Sequence, residues 1–407
     1  MQTLKLTKKY ETYPEYKNSG VEWLGKIPKG WNLEILQHLF AKVKRVGFEK
    51  EELLSVYRDR GVIIKSSRDD NHNKASEDLS TYQLVEVGNL AINKMKAWQG
   101  SVAVSPYRGI VSPAYFVYKP LTENNSKFLH YLLRSDIYIK QYERNSGGVR
   151  NDQWDLNPER FRKLEVPIPL KAEQTKTANY LDEKTACIDQ IIEKKQKLIE
   201  LLREKRTAVI NHSVNNTIGH IEKLKYIAPE RRSKLDIAPT GIKYIGLENI
   251  ESGTGKMVIL EEKTEPESSV NVFKKDDVLF GKLRPYLAKV FPATFNGVCS
   301  GEFLILVPKT DKVIPTYLFY KLISKDFIKA VDDSTYGTKM PRANWQFIGN
   351  QIINYPSIND QTMLVALLES KMELFEKLIT KVDKSIEKLR EFKSSLISNV
   401  VTGKIKV

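Results

Sequence analysis

The sequence predicts an α+β protein in which two mixed α/β domains stand in tandem, separated by two long helices. Three observations carry this expectation. The chain partly overlays itself at a shift of about 188 residues, two stretches of about 40 residues contain neither Pro nor Gly, and the excess of positive charge avoids those stretches. The chain has 407 residues, 65 Lys+Arg against 50 Asp+Glu and a formal net charge of +15. With 41% apolar and 28% charged residues it has the composition of a folded protein, which excludes wholesale disorder. Two Cys and five His are too few for a disulfide framework or a zinc-finger array. No apolar run reaches the roughly 18 residues that cross a bilayer, and the polar start is unlike a signal peptide. The expectation is a reduced, cytoplasmic, soluble protein with no membrane contact and a polyanionic partner, most simply nucleic acid.

The repeat is taken first, because it decides the architecture. Trp31–Leu36 falls on Gly219–Leu224, and Leu90–Met95 on Val278–Leu283. Trp98 meets Tyr286, Gly109 meets Gly297, Ser112 meets Ser300 and Pro120 meets Pro308. Later Pro169 meets Pro356, Gln174-Thr175 meets Gln361-Thr362 and Leu181 meets Leu368. Trp154 reaches Trp345 only across a small gap. The predicted divisions are an N-terminal arm (1–30), a first mixed domain (31–170), a central helix (171–214), a second mixed domain (215–357), and a second helix with tail (358–407).

Each mixed domain has short apolar and β-branched runs broken by Gly, Pro and Asn, which read as strands and turns. Gly100–Val104, Ala114–Val117, Lys243–Leu247 and Phe303–Val307 are examples, with helical patches near Lys127–Tyr142 and Tyr317–Val331. The two Pro-free stretches carry a seam of alternating three- and four-residue steps. In the second it is Leu368, Met372, Phe375, Ile379, Val382, Ile386, Leu389 and Leu396, with Lys393 the break. In the first it is Leu181, Ile188, Ile192, Ile199, Leu202 and Val209, interrupted by Thr185, Lys195 and Arg206. So narrow a stripe, with polar residues around the rest, favours a coiled coil over two helices each packed on its own domain. About 40 residues make a rod of roughly 60 Å.

The first helical stretch carries +2 and the second zero, and the tail adds two Lys, which leaves +11 on the mixed domains and arm. The side chains suited to phosphate and base contact lie there. The first domain offers Lys94, Lys96, Trp98, Gln99 and Arg108, then a Gly-rich loop from Arg144 through Arg150 to Gln153. The second offers Lys282, Arg284, Tyr286 and Lys289, then a loop holding Lys339, Arg342 and Asn344. Arg and Lys pair with guanine, Asn and Gln with adenine, and Gly lets backbone approach phosphate.

A catalytic constellation does not emerge. Cys187 and Cys299 read as small buried groups, and His38, His72, His130, His212 and His220 show no metal-ligand spacing. Gly253–Lys256 is too short for a Walker loop. Asn157-Pro158-Glu159-Arg160 lacks the aromatic that would stack a flipped adenine. No catalytic residue, metal or cofactor is expected on this chain.

Tyr16–Trp31, Asn93–Gly100 with Ser112–Tyr115, Val166–Pro169 through Gln174, and Lys282–Leu287 together resemble the specificity (S) subunit of type I restriction–modification systems. The resemblance spans essentially the full length; the one departure is that the second copy lacks the Gly-Val-Glu-Trp opening and enters at Asn215–Ile218. It implies two target-recognition domains that read the halves of a split double-stranded DNA site. It also implies that the helices pair antiparallel, with pseudo-two-fold symmetry, and set the gap between the halves. Two modification subunits would methylate adenine N6 from S-adenosylmethionine, and two restriction subunits would use ATP and Mg²⁺, so those cofactors sit on partners. The competing readings are a methyltransferase or nuclease complete in one chain, and a coiled-coil adaptor that never touches DNA.

Overall fold

The computed structural model describes residues 10–67, 76–148, 154–236, 241–258, 269–337 and 339–407. The chain forms two units, one of residues up to Lys194 together with Ser385–Val407, the other Lys195–Lys384. Each contains one mixed domain and parts of both long helices, which span Lys171–Asn215 and Ile358–Val401.

In the first unit an antiparallel sheet runs in the order Phe40–Val43, Tyr115–Pro120, Leu90–Asn93, Val102–Val104. Two helices, Ser126–Leu133 and Asp136–Arg144, cover it and bury Phe128, Leu132, Tyr138 and Tyr142. In the second unit Val290–Pro292, Val278–Gly281 and Phe303–Leu306 form the matching sheet. The helices Pro315–Leu322 and Lys325–Asp332 match the first pair. Even the register repeats: Lys42 opposes Tyr118 as Glu230 opposes Leu306. Each helical patch expected from sequence is thus two helices, broken at Ser135 and Ser324. There the serine hydroxyl donates to the carbonyl three residues back, Leu132 and Lys321, both at 2.7 Å. Such local bonds compete with helix continuation.

A two-stranded ribbon leads into each long helix: Glu165–Ile168 with Asn32–Ile35, and Ile352–Tyr355 with His220–Lys223. Just inside each helix lies a fully buried glutamine. Gln174 donates Nε2 to Pro169 O (2.9 Å) and Asn124 Oδ1 (2.7 Å) and accepts from Asn125 N (2.8 Å). Gln361 donates to Pro356 O (2.9 Å) and Lys312 O (2.8 Å) and accepts from Ile314 N (3.0 Å).

The ends of the long helices belong to the domain cores. Leu181 and Ile188 share one core with Leu396 and Val400, and Ile210 and Val214 share another with Val365 and Leu368. In the first unit Lys393 Nζ donates to Asp189 at 2.7 Å, while Trp31 Nε1 donates to Glu173 at 3.1 Å and its ring lies 3.3 Å from where a Gly403 Cβ would stand. The start of one helix therefore meets the end of the other, and the segments run antiparallel. In the second unit Arg206 and Ile210 line one cavity with Met372 and Glu376, the same sense. Along the seam Leu181, Ile188, Ile199, Leu368, Ile379, Ile386 and Leu396 are buried. Ile192, Leu202, Val209, Phe375, Val382 and Leu389 are half-buried. Lys393, the break in the second seam, satisfies its charge across the pair.

The arm does not stand apart: Lys406 N donates to Glu11 O at 2.8 Å, and Leu24 and Ile27 are buried. Cys299 is buried as expected, and burial pushes its thiol up to about 12. Cys187 is exposed, contrary to the sequence reading, because it lies off the seam between Thr185 and Ile188. Among the described residues no helix is long and apolar enough to cross a membrane.

Gln361→Leu keeps bulk but strips partners from two carbonyls and one amide. An unpaired buried group costs about 1–3 kcal/mol, so we expect a loss of roughly 2–4 kcal/mol in urea unfolding. A loss near zero would show that the glutamine is not a structural tie.

Candidate nucleic-acid interface

In the first domain the Leu90–Asn93 strand ends in a tight turn, Lys94–Gln99, capped by Asn93 Oδ1, which accepts from Met95 N at 3.1 Å. Lys94 N donates to Ala114 O at 3.0 Å, and its Nζ donates to Pro113 O at 2.7 Å while lying 4.9 Å from the Phe116 ring centre. Lys96 is exposed. Trp98 packs on Trp154 with ring centres 5.8 Å apart, so the turn meets the end of the later loop. Arg144 is exposed at the end of its helix. Arg108 donates to Glu51 (2.9 Å) and Glu86 (3.2 Å), and the hydrogen bond from Arg45 holds the Glu86 carboxyl below its usual range. Its charge is therefore balanced locally. Arg150 and Gln153, like His72, lie outside the described residues.

The second domain brings its two basic segments together over a separation of more than 50 residues. Arg284 N donates to Pro341 O (2.8 Å) and Ala343 N donates to Lys282 O (3.0 Å). Leu283 also bridges Arg342. Arg342 N and Tyr336 O close a small hairpin at 3.1 Å, with Gly337 at φ 93°. Arg284 and Lys339 are exposed, and Lys282 is half-buried. The segments wall a cleft of about 730 Å³ lined by Arg231, Lys234, Lys282, Glu302, Arg342 and Trp345, among others. Arg231 forks onto buried Asp277 at 2.7 and 2.9 Å, which fixes the cleft wall but occupies that cation. Asn344 accepts from Phe347 N at 2.8 Å as a helix cap, engaging the amide oxygen that adenine pairing would use.

Two sequence inferences change. Trp345 opens the Trp345–Gly349 helix, whose counterpart is the Pro158–Phe161 helix, capped by Asn157. Asn344 therefore corresponds to Asn157, and Trp154 lies upstream of the position that matches Trp345. The segment Asn157–Arg160 forms the cap and first residues of that helix. The sequence reading also missed Glu302, an acidic residue inside the basic cleft. Its signal was present: at a shift of 188 it falls where the first copy has Ala114.

The turns share a backbone device. Gly100 closes the first at φ 93°, and its counterpart Ala288 closes the second at φ 47°, beside Arg284 at φ 51°. Left-handed geometry in non-glycine residues is costly and gathers at functional sites.

Two copies of one fold, each presenting a cationic turn beside a loop, define a duplicated DNA-recognition protein. The family model described as the type I restriction modification DNA specificity domain matches residues 28–201 and again 218–388. The chain belongs to that family and carries its domain twice. It is 22% identical over 360 residues to the type I restriction enzyme EcoDI specificity subunit of Escherichia coli, covering 76% of this chain and 77% of that one. It is 19% identical to the EcoKI specificity subunit of E. coli strain K12, over 94% and 90% of the two chains. A solved chain described under the assembly and conformational transition of the type I R-M system shares the fold at TM-score 0.69 and 12% identity. That match covers 92% of this chain and 98% of that one.

Gly100→Ala meets the left-handed cost and places its Cβ 2.9 Å from Ile139 Cδ1. A loss of about 1–2 kcal/mol is expected in chemical denaturation, whereas Ala288→Gly should leave stability level or raise it. Equal losses at both positions would show that the turns do not need this geometry.

Proposed function

We propose that this chain is the DNA-reading, non-catalytic subunit of a type I restriction–modification assembly, each mixed domain reading one half of a split double-stranded site. The observation that carries this reading is the repeated turn frame with unlike side chains on it. Lys94 N bonds Ala114 O in one copy as Lys282 N bonds Glu302 O (2.9 Å) in the other. Identical scaffolds with different readers suit two different half-sequences. S-adenosylmethionine, ATP and Mg²⁺ are then used by two modification and two restriction subunits rather than by this chain. An exposed row on the second long helix, Met363, Leu367, Leu374 and Leu378, supports a helical protein partner.

Lys339→Ala removes an exposed cation from one domain only. In gel shifts of the assembled complex it should weaken selection at one half-site, by about tenfold if Lys339 reads a base. Equal weakening at both halves would mark it as a phosphate contact. Removing one helical turn from both long helices, about 5.4 Å of rise each, should shorten the preferred gap between half-sites. An unaltered gap in a methylation map would remove the helices' role as a ruler.

A further inference from the structure

The Glu302–Arg342 pair poses a problem that phosphate binding does not solve. Arg342 Nη2 donates to Glu302 Oε1 at 2.6 Å, cancelling the charge of the cation best placed in the cleft. A neutralised pair gains little from a phosphate, and its carboxylate repels one. Both residues are nonetheless firmly held. Glu302 O accepts from Lys282 N, and Glu302 N donates to Ser300 Oγ at 3.2 Å. Arg342 is bridged to Leu283 on one side and Tyr336 on the other. The two side chains thus project from a turn and a bridge that are both bonded to the Lys282–Leu283 segment.

Three further facts give the pair a direction. Glu302 Oε2 is buried with no hydrogen-bond partner among the described residues, so Arg342 alone compensates that carboxylate. Release of the guanidinium would leave the buried Oε2 edge of a carboxylate that is 27% exposed overall without its one partner, which favours keeping the pair. The Arg342 side chain is still 45% exposed, and with one Nη2 hydrogen on Glu302 the guanidinium keeps Nη1 and the second Nη2 hydrogen for an end-on fork. A fixed fork with free donors and no net charge is poorly suited to phosphate and well suited to a neutral base edge. Guanine, with O6 and N7 side by side in the major groove, matches that fork.

Resting on the functional reading above, we propose that Arg342 reads a guanine in the half-site bound by the second domain. Glu302 is its positioning residue. The first domain has Ala114 at the equivalent place, so this reader belongs to one half-site alone.

The test uses the complete complex with its modification subunits and a duplex pool randomised at each half-site position, sequenced after selection. Arg342→Lys keeps the charge but loses the fork. It should reduce preference for guanine at one position of one half-site by roughly tenfold or more. Glu302→Gln, near in shape, and Glu302→Ala should erode the same position while raising affinity for unrelated DNA and steepening its salt dependence, because a cation is unmasked. Glu302→Asp should restore part of the preference. Full discrimination in Arg342→Lys, or losses spread evenly over both half-sites, would overturn the proposal while leaving the split-site reading intact. A wild-type complex that selects no split site would overturn both.

Discussion

One buried amide in each copy sets the relation between recognition domain and long helix. Gln174 and Gln361 each donate to the proline carbonyl that ends the entering strand, donate again to the loop before a domain helix, and accept that loop's amide. Glutamine can do this because it offers two donors and an acceptor in one plane, and burial makes each unmade bond costly. A helix tied at its foot on two sides cannot swing about the proline. The angle at which each domain leaves its helix is therefore set by three bonds in each copy, two of them alike and the third made to the Asn124 side chain in one and the Lys312 carbonyl in the other. Packing of the outer turns, Leu181 in one and Leu368 in the other, completes the joint.

That tie explains why the sequence was readable at the level of architecture. Residues that must keep fixed geometry, such as Gln174 and Gln361 or Pro169 and Pro356, recur at nearly constant spacing, so the duplication is visible without any structure. The choice between coiled coil and domain-packed helices was less sharp than the seam suggested. The outer turns do pack on the domains, while Lys393 reaches Asp189 across the helix pair. Periodicity reports that a stripe is buried but not against what. The helical patches were placed correctly yet each hid a break, because Ser135 and Ser324 stop a helix through a hydroxyl bond that composition does not reveal.

The site was legible by residue type and illegible by partnership. Lys282–Arg284 and Lys339–Arg342 are both visibly basic in the sequence, but nothing in the spacing says that backbone bonds stitch them into one wall. Arg108 looked like a free cation and is held between Glu51 and Glu86. Asn344 looked like a reader of adenine and serves as a cap. Trp154 and Trp345 match by residue identity alone, whereas the caps Asn157 and Asn344 are the true correspondence. Side chains conserve their type for one reason and their position for another, and only the hydrogen bonds separate the two.

The deeper division is between what the two copies share and where they differ. They share backbone: the register of the sheet, the amide from Lys94 or Lys282 to the strand beyond, the left-handed closure at Gly100 or Ala288. They differ in what that backbone carries, alanine against glutamate, tryptophan against tyrosine. The main-chain bonds common to both copies tolerate such exchange, while side-chain ties such as the Asn93 cap and the Lys94–Pro113 bond belong to the first copy. Side chains freed from structural duty can diverge independently in each copy, and a protein built this way can change one half of what it recognises without disturbing the other.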